Sequence, residues 1–393
     1  MEKQNTRITF GLALLFSVVS GLAVGNLYWA QPLLTVIAED FGVIPSQGGF
    51  LVTATQIGYA LGILFIVPLG DILERRRLLA VVMTLTVLML IGSAIAPSFQ
   101  ILSLALGALG VVTVSGQIIL PLAGDLAEEK DRGRIVGLVA SGITTGILFS
   151  RLLSGFVADI WDWRGIYFLA AFLNFLMVIA LCRFLPTIPP RSKVSYRELL
   201  VGVFTSIKRF PIMRGILLKQ GMIFGIVFNL FWTALTFLLS AEPFYYSTLQ
   251  IGLVSLAGLT GAIAGTKLGA LQDKGLGQIS VTIFILISGF IMVLGIFAKE
   301  SILIVLLVAA VFSLAVQGIG VLCQAELFSL SNTERSRLNT AFVVNNFLFC
   351  AVGSSLASIL WNCGGWDMVM FGAIAASITA LIIHLLGRRK ERK

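Results

Sequence analysis

The chain has 393 residues, 58% of them hydrophobic and only 12% charged, with a mean hydropathy of +0.99 and a net charge of +9. Soluble domains carry about a quarter charged residues, so a water-soluble fold is excluded. Nucleic acid is not the partner implied by the positive charge, because the basic residues are spread over short connections between apolar runs instead of forming one patch.

Apolar runs of about 20 residues recur along the whole length, as spanning helices require, and the ten-residue alternation of a membrane barrel is absent. Met1 to Arg7 is short and basic and leads into a run too long for a signal core, with no small-residue cleavage site, so the first span is expected to serve as its own targeting signal. Twelve spans are predicted, starting near Ile8, Gly48, Leu78, Ile101, Arg134, Gly165, Met213, Ile251, Ile279, Ile302, Leu338 and Met368. Span one contains "NLYW", Asn26 to Trp29. Span two contains Gln56 and Tyr59 and runs into "PLGDILERRR", Pro68 to Arg77. Span four carries Gln117 and ends at Asp125; span five opens with "DRGR", Asp131 to Arg134, and holds Gly142, Gly146, Arg151 and Gly155. The longest polar interruption, Thr187 to Arg214, contains Ser195 to Phe210 at helical spacing, which reads either as a helix on the membrane surface or as a solvated linker helix. Span seven holds Lys219 and "NLFW", Asn229 to Trp232; span ten holds Gln317 and Glu326; span eleven follows "ERSR", Glu334 to Arg337, and holds Asn345 and Asn346. The four cysteines have no metal or redox spacing and read as packing residues, with Cys363 near an outer loop.

Nearly all of the 28 Lys and Arg fall in the termini and even-numbered loops; Arg164 and Lys299 lie on the other side, and Arg151 and Lys219 lie within spans. That asymmetry places both termini in the cytoplasm of a cell whose inner membrane holds the protein. The chain also repeats. At an offset of 203 residues Asn26 and Trp29 match Asn229 and Trp232, Gly58 matches Gly261, Gly62 matches Gly265, and Trp163 matches Trp366. Six spans per copy is an even number, so the copies are parallel. The fold expected is an all-α polytopic membrane protein of twelve transmembrane helices in two parallel six-helix bundles, residues 1–186 and 213–393, joined by a cytoplasmic linker at 187–212.

The 6 + 6 layout, the large central loop and the "GDILERRR" segment resemble the major facilitator superfamily, in particular its twelve-span drug- or sugar-efflux-like bacterial exporters. Asp71, Arg75 and Arg76 match the loop pattern of that family, as do Gly269, Asp273 and Lys274 in the second half, whereas Val67, Ile72 and Glu74 depart from it. The resemblance implies a cytoplasmic latch of Asp71, Arg75, Arg76, Asp125, Arg132, Arg134, Asp273, Glu326, Arg335 and Arg337, with Asp71 facing the positive end of span eleven near Arg337 to Asn339. The alternative for the basic members is simple topology. It further implies that spans one, four, seven and ten line a central pathway. Ser150-Arg151 stands where related exporters carry Gly-Pro, a departure from the antiport motif.

Polar residues inside spans are costly to bury, and they are the substrate-site candidates: Asn26, Tyr28, Trp29, Gln31, Gln56, Tyr59, Gln117, Arg151, Asn229, Trp232, Thr233, Gln317, Asn345 and Asn346. Helix-to-helix hydrogen bonding is the alternative for each one. Arg151 lies roughly 25 Å into span five, where it either binds an anionic group or pairs with Asp159. No acid lies at midplane depth, so proton coupling has no clear carrier, with Asp159 and Glu242 in reserve; Lys219 and His384 read as interfacial. No Walker loop, dinucleotide fingerprint or metal pair is present, so neither cofactor nor metal nor enzymatic activity is expected. The function expected is secondary transport by alternating access, as a monomer in the lipid bilayer, with efflux or antiport of a small organic or drug-like molecule and protons as a candidate partner. The alternatives are an importer or exchanger of an organic anion using Arg151, and a ligand sensor that moves nothing.

Overall fold

The computed structural model describes residues 8–190, 194–261, 268, 270–331 and 334–391. Gly265, Gly269 and the Asp273 side chain, all named from the sequence, lie outside that set. Among the described residues every regular element is helical. Among the described residues nine helices are long and apolar enough to cross a membrane: Pro45–Ile72, Arg75–Ala94, Phe99–Leu126, Arg132–Ile160, Trp163–Phe184, Pro211–Ser240, Gly277–Glu300, Ile302–Ser329 and Arg335–Gly387. Two shorter apolar helices, Phe10–Gly25 and Thr248–Gly261, stand where spans one and eight are predicted. The last long helix breaks at Gly364 and Gly365; Gly365 has φ +59, which only glycine adopts without strain. Counted as two, it makes the arrangement consistent with twelve crossings, and the spans below keep that numbering.

The helices start where side chains can satisfy the first backbone N–H groups. Ser98 Oγ accepts from Ile101 N at 3.3 Å. Ser247 Oγ accepts from Gln250 N at 3.4 Å while Gln250 Oε1 accepts from Ser247 N at 2.9 Å, a reciprocal cap. Glu74 accepts from the N–H groups of Arg76 (2.9 Å) and Arg77 (2.8 Å), opening span three. Span one differs from the single run expected from Ile8. It is helical over Phe10–Gly25, turns at 26–30, and resumes over Gln31–Leu33 and Leu34–Asp40. Pro32 has no N–H to donate and disfavours helix before it, which accounts for the break.

The repeat is visible in the packing. Gly58 lets span two approach the Gly107 carbonyl of span four, and Gly261 lets span eight approach Ser313 of span ten, where an added Cβ would lie 2.6 Å from the carbonyl oxygen. One face of the molecule, termed the basic face, carries the Arg75–Arg77 segment and the linker helix Tyr196–Arg209. The linker helix ties into both halves there. Tyr196 OH donates to the Phe65 carbonyl (2.7 Å), while Ser206 Oγ and Arg209 donate to Glu334 at 2.8 and 2.7 Å. Its Val201 and Phe204 remain exposed. The belt between the two faces is apolar, with Phe172, Phe175, Phe290 and Phe371 among its exposed side chains, as a lipid-facing surface requires.

Candidate functional site

The halves of the chain meet around a central cavity of about 90 Å³. It is lined by Tyr28 of span one, Thr144, Ile147, Leu148 and Arg151 of span five, Phe224, Phe228 and Trp232 of span seven, Gly258 and Gly261 of span eight, and Ser313, Val316 and Gln317 of span ten. The spacing on each helix is that of one face: 224, 228 and 232 on span seven, 144, 148 and 151 on span five. Span seven widens to a π-helical stretch over Gly221–Val227, a distortion that changes where the following side chains point.

Arg151 is 3% exposed, and its guanidinium lies 5.0 Å from the Tyr28 ring centroid and 4.6 Å from that of Trp232. Its Nε and Nη2 are buried without a hydrogen-bond partner among the described residues. The same holds for both amide atoms of Gln31, for Trp232 Nε1 and for Ser313 Oγ. Gln31, Arg151 and Trp232 also share a smaller void with Thr236 and Ser255. The magnitudes matter here. A desolvated cation–π contact contributes about 2 kcal/mol, whereas burying an ion costs several kcal/mol even after relaxation. The rings therefore do not offset the burial of Arg151, and an acceptor for its free edge would.

Of the residues singled out from the sequence, the structure brings Tyr28, Arg151, Trp232 and Gln317 to this cavity, with Gln31 beside it. It places the others elsewhere. Asn26 Nδ2 donates to Thr113 Oγ1 (3.0 Å) and Asn26 Oδ1 accepts from Trp29 Nε1 (2.8 Å), so both work inside the first half instead of facing Asn229 across a pathway. Asn229 donates to Gly225 of its own helix at 3.3 Å. Gln117 donates to Tyr59 OH (3.2 Å), and the Tyr59 ring meets Phe347 at 4.5 Å. Asn345 donates to the Leu217 carbonyl (2.8 Å). Gln56, Thr233 and Asn346 are buried, each with an unpartnered polar atom, but do not line the cavity. Phe224, Phe228, Thr144 and Ser313 were missed. Four-residue spacing back from Trp232 would have found the two phenylalanines.

At the basic face the charged clusters form within halves. Arg75 is buried and donates to Asp125 (3.0 Å) and to the Gly70 carbonyl (2.9 Å), with Asp71 at 3.6 Å; Arg76 donates to the Cys182 carbonyl. With the halves in contact at the opposite face, Asp71 lies beside Arg75, while the latch with span eleven is expected of the state open at that face. Glu326 pairs with Lys219 (2.8 Å) and accepts from Gln278 (3.0 Å) instead of meeting Arg335 or Arg337. The Arg337 guanidinium lies against Gly202 of the linker helix. Arg132 is exposed, and Arg134 lines a wide cavity with Glu128, Asp131 and Ser141. Lys219 and His384 are buried in the protein and line one cavity with Arg214 and Glu326; His384 Nε2 lies 2.9 Å from Thr282 Oγ1. No group of three or more metal-ligating side chains occurs among the described residues.

At the opposite face the halves are in contact. Thr236 Oγ1 donates to the Gln31 carbonyl (2.8 Å), Ser46 Oγ to Asn362 (2.6 Å), and Thr248 Oγ1 to the Gly155 carbonyl (3.0 Å) and Asp159 (3.2 Å). Asp159 is therefore engaged by span eight and does not pair with Arg151. Toward the basic face, Ser141 on the Arg151 side of span five is exposed and Thr144 half-buried, while Leu148 and Arg151 are buried.

A polytopic helical protein with a charged cavity between its halves, sealed at one face, has the architecture of a membrane transporter. The chain belongs to the Major Facilitator Superfamily, whose family profile matches residues 13–358. It is 36% identical over 391 residues to the putative uncharacterized transporter YgaY of Escherichia coli K12, covering 100% of this chain and 99% of the relative. It is 28% identical over 367 residues to the probable transporter SCO4007 of Streptomyces coelicolor, covering 90% and 82%. Among solved structures, a bacterial homologue of the human lysosomal transporter Spinster, in an inward-facing and occupied conformation, superposes with a TM-score of 0.77 at 13% identity, covering 96% of each chain. These relationships point to transport instead of catalysis.

Proposed function

We propose that the protein is a secondary transporter that exports a small organic anion from the bacterial cytoplasm by alternating access, with Arg151 as the anion-binding residue. The observation that carries this reading is the buried Arg151 edge, Nε and Nη2, left without a partner among the described residues, beside a cavity shared by both halves. A carboxylate fits such an edge with two parallel charge-assisted bonds. The basic face is assigned to the cytoplasm by its Lys and Arg. Arg151 also lies next to the contact between spans five and eight, since an added Cβ on Gly252 would lie 2.8 Å from its carbonyl oxygen. Neutralising the guanidinium therefore acts where the outer ends of the halves separate. Asp71, Arg75 and Asp125 then serve as a rigid brace within the first half, around which the halves rock.

Purified protein in liposomes tests this with labelled organic acids and their neutral amides. Efflux of an acid by wild type, lost in Arg151→Met at a melting temperature no lower than wild type, is the expected result. Full transport by Arg151→Met, or equal handling of the amides, overturns it.

A further inference from the structure

Resting on the anion reading of Arg151, we infer that the substrate is a small aromatic monocarboxylate, its carboxylate on the Nε/Nη2 edge and its ring against the phenylalanine face of span seven. Three observations on the cavity carry the inference. The first is charge. Arg151 is the one ionisable cation among the described residues of the lining, and no acid stands there. A second carboxylate on the substrate would be buried without a partner, which excludes dianions.

The second is the nature of the walls. The guanidinium is flanked by Tyr28 and Trp232, and a carboxylate bonded to its edge lies in the guanidinium plane. Continuing along span seven, Phe228 meets Trp232 at 6.2 Å, and Phe224 and Phe228 stack at 5.4 Å with 8° between planes. A planar conjugated body presents a ring to these rings, where ring–ring geometry adds roughly three- to tenfold in affinity over an aliphatic body of equal area. A small inorganic anion would lose its hydration without enough donors to replace it.

The third is size. A cavity of about 90 Å³ is below the roughly 150 Å³ that holds one benzene ring inside a protein. One ring with its carboxylate is therefore the largest body it admits, and only as the side chains around it give way; a multi-ring drug is too large in this conformation. Ser313 Oγ and Trp232 Nε1, both unpartnered, can serve one ring hydroxyl.

The experiment is calorimetric titration of the full chain in lipid nanodiscs with sodium benzoate, cyclohexanecarboxylate, acetate, phthalate and benzamide, repeated on Phe228→Leu and Arg151→Met at melting temperatures no lower than wild type. Benzoate binding at least threefold tighter than cyclohexanecarboxylate and far tighter than acetate or phthalate, with the first preference lost in Phe228→Leu, is expected. Equal binding of benzoate and cyclohexanecarboxylate overturns the aromatic assignment and leaves the anion reading standing. Equal binding of benzamide, or benzoate affinity unchanged in Arg151→Met, overturns both. Binding of none of the five overturns the aromatic assignment.

Discussion

Arg151 and Lys219 are both buried cations within spans, yet Lys219 has Glu326 at 2.8 Å while two guanidinium nitrogens of Arg151 have no partner among the described residues. That difference separates a structural cation from a binding one. With side chains 5% and 14% exposed, the Lys219–Glu326 pair is buried, and removing one member leaves the other uncompensated. Glu326→Gln is expected to destabilise the second half by about 3–5 kcal/mol, and Lys219→Met with Glu326→Leu to recover most of it. Thermal unfolding in detergent measures both; equal melting of Glu326→Gln and wild type would refute the pairing. Arg151 was legible in the sequence because its depth in span five cannot be explained by topology. The fate of Lys219 was not, because its acid lies 107 residues away and a lone lysine near a span end looks free to reach water.

At the scale of elements, spans five and eight close the face opposite the linker. Gly155 meets the Thr248 backbone so closely that a Cβ there would overlap its carbonyl, and Thr248 in turn donates to the Gly155 carbonyl at 3.0 Å. Gly155→Ala is expected to force these ends apart and raise the population opened at that face. Spin labels at Ile160 and Leu253, both exposed, would report a distance longer by several ångström; an unchanged distance distribution would mean that this contact does not hold the face closed. The spans were readable from the sequence, their starts falling within a few residues of those expected, because apolar run length and capping residues are local signals. The duplicated "NLYW" and "NLFW" misled in one respect. Equal sequence does not give equal surroundings: Pro32 breaks span one, Asn26 turns inward to Thr113, and Tyr28 instead of Asn26 reaches the cavity.

For the whole molecule, the proposed export of a monoanion has a driving force in the membrane potential. No acid lines the cavity among the described residues. Export does not need one. An inside-negative potential of 100 mV contributes about 2.3 kcal/mol per elementary charge, and it drives a monoanion outward. Since about 1.4 kcal/mol is a factor of ten, that potential alone sustains roughly a fiftyfold outside-to-inside ratio. Liposomes loaded with labelled substrate and clamped at that potential by a potassium gradient with valinomycin should empty toward this ratio. Collapse of the potential should abolish the gradient, while a pH gradient at zero potential should leave it near unity. A response to the pH gradient alone would place a proton in the cycle and refute potential-driven export, leaving Glu242 and the acids of the basic face as the groups to examine.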